Sequence, residues 1–268
     1  MNAKQQSTPF AIWETGGITE HLGGVYATQR LLELCHITPG QAVLDIGSGT
    51  GYTSCHLARE DGARVVAVDI TAKSVTETHR RAAKECLRDQ VHVLRADAHH
   101  LPFSVHAFDT VIAESVLVFC QATQVVGEVH RVLKRGGVFG TNELTLLKPP
   151  PEGLATLLQN SLAIQSYQSD EWQSILARAG FVDVVAAVRR MSLREQLGSH
   201  IKVDGVRGYL SAMVKGLTDM KISRVFVNRA MLSAARKFVP FVGYGLYVGR
   251  KVQRVTHSLN GIEDIEFG

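Results

Sequence analysis

The chain reads as an α/β protein, a mostly parallel sheet with helices on both faces. Three observations predict this. Short apolar runs suited to buried parallel strands alternate with segments of helical period. The first of these runs leads directly into a glycine turn and a helix, as at ligand sites on the carboxyl ends of parallel strands. The 268 residues are 45% apolar and 20% charged, the balance of a globular protein with a sizeable core.

The elements follow in order. Residues 1–8 are polar, and two Gly-Gly pairs between Trp13 and Gly24 break any ordinary helix there. A helix is expected from Val25 to Cys35, and Thr38-Pro39-Gly40 turns the chain into a strand from Ala42 to Ile46. Then come a helix from about Thr50 to Arg59, a strand from Arg64 to Asp69 and a helix from Ala72 to Leu87. Val91 to Arg95 and Phe108 to Ala113 read as the third and fourth strands. A helix from Ala122 to Leu133 precedes a turn at Gly136-Gly137 and a fifth strand from Val138 to Thr141. Pro149-Pro150-Pro151 is a stiff break. A helix from Ser169 to Ala179 leads to a sixth strand, Phe181 to Val188, and Tyr244 to Gly249 reads as the last. The stretch between these two is far too long for a hairpin loop. It holds two expected helices, near Val203–Leu217 and Ile222–Phe238, and reads as a lid or an oligomer contact.

The organising motif is Val43-Leu44-Asp45-Ile46-Gly47-Ser48-Gly49-Thr50-Gly51. Its glycines let a ligand approach the backbone, and the helix after it offers unpaired N–H groups to an anion. A dinucleotide fingerprint needs a glycine where Tyr52 stands. Asp45 would lie beside a pyrophosphate and repel it, which disfavours a dehydrogenase. The same carboxylate suits a ligand carrying an ammonium and a sulfonium. S-adenosylmethionine has both, together with a carboxylate for the helix N-terminus. Asp69, at the tip of the second strand, can accept from both ribose hydroxyls.

Five segments, "VLDIGSGTG", "VVAVDI", "RADAHHLPF", "FDTVIAES" and "EVHRVLKRGGVF", resemble in order the motifs of class I S-adenosylmethionine-dependent methyltransferases. The resemblance covers roughly residues 40–145. It is strongest to the small-molecule group that includes quinone-biosynthesis, sterol and tocopherol C-methyltransferases. Arg135 stands where that family usually has proline. The resemblance implies a Rossmann-like seven-stranded sheet with an antiparallel last strand, and a cap over residues 1–38 on a core of 39–188 and 241–254. The length of 189–240 marks it as a helical insertion before the last strand, a lid or an oligomer contact. By the same resemblance Asp45, Gly47, Ser48 and Gly49 hold the methionine end, Asp69 the ribose, and Ile70, Asp97 and Ala98 the adenine. The carboxyl end of the fourth strand faces the transferring methyl, so Glu114 is a candidate for cofactor contact and for acid–base work, with His21 beside it. Trp13, Tyr26 and Glu143 are candidates for the acceptor pocket.

Other features narrow the function. Cys35, Cys55, Cys86 and Cys120 are scattered without a Cys-x-x-Cys pair, so a metal or disulfide role is not expected. Adjacent His99 and His100 point apart and read as rim residues. Glu114-Ser115-Val116-Leu117 stands where nucleic-acid adenine methylases carry Asn/Asp-Pro-Pro-aromatic, so no nucleic-acid partner is expected. No apolar run is long enough to span a bilayer, and a cytoplasmic location is expected. Arg189 to Arg254 carries a net +11 within a chain of net +4. That stretch suits an anionic or lipidic acceptor, a membrane surface or a second copy of the chain. The expected reaction is methyl transfer to a small organic acceptor. A membrane-associated lipid or quinone C-methylase and a non-catalytic cofactor-binding module are the alternatives.

Overall fold

The computed structural model describes residues 21–151, 153–154, 158–159, 164–190 and 239–253. Trp13 and most of the basic insertion with its two expected helices lie outside the described residues.

The strands are β1 (Ala42–Ile46), β2 (Arg64–Asp69), β3 (Val91–Arg95), β4 (Phe108–Glu114), β5 (Leu133–Leu146), β6 (Tyr167–Gln168), β7 (Phe181–Arg190) and β8 (Val242–Lys251). The helices are α1 (Gly24–Cys35), α2 (Tyr52–Arg59), α3 (Ala72–Lys84), α4 (Ala122–Val132) and α5 (Ser169–Arg178). One 3-10 turn, Leu117–Phe119, follows β4 and another, Val239–Phe241, precedes β8.

The main sheet runs β3-β2-β1-β4-β5-β8-β7, with β6 paired to β5 off this path. The first five strands are parallel, and β8 is antiparallel to both its neighbours. The chain moves from β1 outward to β3 and then returns to place β4 on the other side of β1. That reversal opens a crevice at the carboxyl ends of β1 and β4, where Ile46 pairs with Ala113.

Side chains alternate across the sheet, as the pleat requires. Val43, Val65 and Ile112 face Leu31, Leu32 and Leu57 on one side. Leu44, Val111 and Phe139 face Val125, Val129, Trp172 and Leu176 on the other. Helix α1 lies so close to β5 that a Cβ at Gly140 would come 2.4 Å from Cys35 Sγ. The other end of α1 and the turn before it reach the carboxyl end of β4, where Thr28 meets Glu114 and Leu22 meets Ser115.

Two expectations are corrected. The described sheet has eight strands rather than seven, because Tyr167–Gln168 pairs briefly with Thr145 and Leu146. Two residues are too few for any periodic signal. The fifth strand runs well beyond Thr141, because β8 pairs with it from Val138 to Leu146. The last strand is antiparallel as expected, and it lies inside the sheet, between β5 and β7.

Candidate functional site

The glycine turn after β1 is held from the side by β2. The N–H groups of Gly47 and Ser48 both donate to Val68 O, at 2.8 and 3.0 Å. Gly49 N donates to Asp69 Oδ2 at 3.1 Å, and Thr71 N donates to Asp69 Oδ1 at 2.9 Å. A carboxylate has about four acceptor positions, so each oxygen of Asp69 keeps acceptor capacity after these bonds. Gly47 has φ +75°, and a Cβ there would lie 2.3 Å from Val116 Cγ2. Only glycine fits, because both backbone and space exclude a side chain. The contact also joins the turn after β1 to the turn after β4.

Asp45 is 2% exposed and accepts a short hydrogen bond from the Ser54 hydroxyl. Burial pushes its carboxyl up to about 6. The Ser54 bond opposes that push, the Glu114 and Asp69 carboxyls add to it, and His21 counters it. An acid held in this way at a strand tip is poised to meet a cation.

Glu114 is 3% exposed and sits between two helices. Thr28 of α1 donates to its Oε2 at 2.9 Å, and Thr53 of α2 donates to its Oε1 at 2.9 Å. His21 Nε2 lies 3.7 Å from Oε1 and 3.5 Å from the Thr53 hydroxyl. The turn carrying His21 is pinned in the same place. Leu22 N donates to Ser115 Oγ at 3.4 Å, and Asn142 Nδ2 donates to Leu22 O at 2.7 Å. Ser115 itself has φ +58°, a strained conformation of the kind found at functional strand tips.

At the tip of β3, Asp97 is half exposed and Ala98 is nearly buried. Ile70, just past β2, is 42% exposed, and Arg95 Nε donates to its carbonyl at 2.8 Å. Together they make an open edge with one acid and one uncovered apolar side chain.

The structure therefore gathers Asp45, Gly47, Ser48, Gly49, Asp69, Ile70, Asp97, Ala98, Glu114 and His21 along the carboxyl ends of β1 to β4. It places the two described acceptor-pocket candidates elsewhere. Tyr26 is 44% exposed, with the Arg189 guanidinium 5.1 Å from its ring centre. It lies two residues before the inward-facing Thr28, so it points about 200° away around α1. Glu143 is fully buried. It accepts from the N–H groups of Val116, Leu117 and Val118 and from the Thr141 hydroxyl, at 2.8–3.3 Å. Burial pushes its carboxyl up to about 7 against those bonds, and it braces the turn after β4 from behind. Thr28, Thr53 and Ser54 carry no sequence signal of their own, and Asn142 is marked only by following the fifth expected strand. Their roles come from partners up to 120 residues away.

A methyltransferase-domain family model matches residues 44–140. The 27-O-demethylrifamycin SV methyltransferase of Amycolatopsis mediterranei is 30% identical over 212 residues, covering 71% of this chain and 77% of that protein. The methyltransferase YodH of Bacillus subtilis is 32% identical over 162 residues, 60% of this chain and 68% of its own length. Among solved structures, a phosphoethanolamine N-methyltransferase of Haemonchus contortus in complex with S-adenosylmethionine superposes with TM-score 0.74 at 18% identity. It is matched over 93% of this chain and 59% of its own, a likeness of fold. The glycine turn, the acids at successive strand tips, the sheet order and these relatives agree: the chain belongs to the class I S-adenosylmethionine-dependent methyltransferases.

Proposed function

We propose that the chain transfers the methyl group to a hydroxyl of a small organic acceptor by in-line displacement, with His21 taking the proton. The observation that carries this reading is the cluster of His21, Glu114 and Thr53 at the crevice between β1 and β4. Glu114 already accepts from two threonine hydroxyls and is walled off from solvent. It is placed to orient His21 rather than to meet the acceptor. His21 keeps 19% of its side chain exposed, which leaves the ring an open side.

The residues present fit the cofactor. Asp45 would take the ammonium, the remaining acceptor positions of Asp69 would take the ribose hydroxyls, and Ile70, Asp97 and Ala98 would frame the adenine. When bound, the cofactor supplies an electrophilic methyl on a sulfonium. The protein's task is then to hold the acceptor oxygen in line with the methyl at about 3 Å, which is mostly an entropic contribution. Exchange of the C–S bond for an O–C bond would require the acceptor hydroxyl to give up its proton, and His21 would take it. The rifamycin-methylating relative supports a hydroxyl acceptor. A membrane-associated reading rests on the basic insertion. No helix among the described residues is long and apolar enough to cross a membrane.

The test is transfer of labelled methyl to a panel of hydroxylated acceptors, with wild type, His21→Ala and Glu114→Gln. His21→Ala is expected to lower kcat by about 100-fold while leaving cofactor affinity within a few-fold. Undiminished turnover in His21→Ala would remove it as the base. Cofactor binding with no transfer to any acceptor would favour the non-catalytic module.

A further inference from the structure

His99 stands one residue past the adenine candidates, and both of its ring nitrogens are engaged. Nδ1 lies 2.7 Å from Asp97 Oδ1, and the His99 backbone N–H donates to the same oxygen at 2.9 Å. On the far side of the ring, the N–H of Gln121 reaches Nε2 at 3.2 Å. A backbone N–H can only donate, so Nε2 is the acceptor and Nδ1 carries the proton. The tautomer is thus set by the first residue flanking α4. Gln124 Nε2 donates to His99 O at 3.4 Å and Glu128 Oε2 accepts from Leu101 N at 3.0 Å, so the whole loop is laced to that helix. Asp97 Oδ2 takes no hydrogen bond among the described residues. Burial works against ionisation of Asp97, yet the bonds from His99 and the nearby histidines hold its carboxyl below the usual aspartate range.

We propose that His99 is a positioning residue for adenine recognition: it clamps Oδ1 of Asp97 and turns Oδ2 toward the exocyclic amino group of the cofactor. The inference rests on the reading of Asp97 as the adenine acceptor. The histidine relays the rigid N-terminal end of α4 to the carboxylate. Without the ring donor, Oδ1 keeps only the backbone N–H of His99, and the half-exposed Asp97 side chain is held by one bond instead of two, so the amino group loses a firmly fixed acceptor. A carboxylate hydrogen bond is directional, so fixing one oxygen determines where the other points.

The experiment is calorimetric titration of the full chain with two ligands. One is S-adenosylhomocysteine. The other is its analogue with hydrogen in place of the adenine amino group, which keeps the ring nitrogens. Wild type is expected to favour the first by about 10-fold, the scale of one charge-assisted hydrogen bond. His99→Phe keeps the ring volume and removes the donor, and His99→Gln reaches Gln121 without a donor at the Nδ1 position. Both should lose about 10-fold for S-adenosylhomocysteine and under 2-fold for the analogue. His99→Asn places an amide N–H near the Nδ1 position and should stay within about 3-fold of wild type for both ligands. If His99→Phe does not fold, His99→Gln reads the same quantity. Equal weakening toward both ligands would mean a merely structural histidine and overturn the proposal. So would a wild type that does not discriminate, or an Asp97→Ala variant that still does; in either case cofactor binding itself would stand. Failure of wild type to bind S-adenosylhomocysteine would remove the cofactor reading and the proposal together.

Discussion

Replacing Asp45 by asparagine is expected to stabilise the ligand-free protein at neutral pH while weakening its hold on the cofactor. Asp45 is 2% exposed, and burial pushes its carboxyl up to about 6. An unfolded aspartate titrates near about 3.9. The folded state therefore holds the proton more tightly than the unfolded chain. The resulting stabilisation is complete below about pH 4 and is lost as pH rises through about 6. Above that, the ionised buried carboxylate costs roughly two pH units at about 1.4 kcal/mol each, or about 3 kcal/mol. Asparagine stays neutral and its carbonyl oxygen still accepts from the Ser54 hydroxyl. Its amide N–H groups need a partner, which offsets about 1 kcal/mol. Urea unfolding of both proteins at pH 4.5 and pH 7.5 measures the difference. The advantage of Asp45→Asn should grow by about 2 kcal/mol across that range. Glu143, pushed up to about 7 by burial, titrates with the same sign in both proteins and cancels in the comparison. Cofactor affinity should fall by about 10-fold or more, because the ammonium loses its counter-charge. A pH-independent difference would refute the claim that Asp45 is held at a cost. An unchanged affinity would refute its assignment to the ammonium.

Three further outcomes follow from the same geometry. Gly47→Ala meets both φ +75° and a methyl 2.3 Å from Val116 Cγ2, and should lose about 2–4 kcal/mol in urea unfolding. Val116→Ala in that background should recover the steric part and leave about 1 kcal/mol of backbone strain; no recovery would show that the clash is not the cause. Glu114→Ala strands the Thr28 and Thr53 hydroxyls and should cost about 3 kcal/mol, with Glu114→Gln much milder. An unchanged melting temperature with lost turnover would instead make Glu114 a residue that touches the acceptor. Asp69→Ala removes the acceptor for Gly49 N and Thr71 N as well as the proposed ribose contact, and should weaken cofactor binding at least ~10-fold by calorimetry; equal affinity would exclude the ribose role.

Much of the architecture was legible in the chain itself. β1 and β2 lie where their apolar runs place them, because buried parallel strands need mostly apolar residues whatever surrounds them, and the edge strand β3 lies where Val91, Val93 and Leu94 marked it. The spacing of Gly47, Gly49 and Gly51 marked the turn, because a sharp strand-to-helix turn constrains backbone angles locally. The ends of the apolar runs already marked Asp69, which closes β2, and Asp97, two residues past β3, as positions at the carboxyl edge of the sheet.

Which face each polar side chain serves was decided only by the tertiary structure. Glu114 looked like a free acid at a strand tip, and it is enclosed by threonines 86 and 61 residues away in sequence. Glu143 looked like a pocket residue, and burial made it a brace for three backbone N–H groups. Tyr26 and Thr28 are neighbours in sequence, yet α1 turns one outward and the other into the crevice. His99 looked like a rim residue until folding set Gln121 behind it. Periodicity and turn chemistry are properties of short segments and can be read from them. A hydrogen bond between distant residues exists only once packing has fixed where both ends point, and no local pattern encodes it.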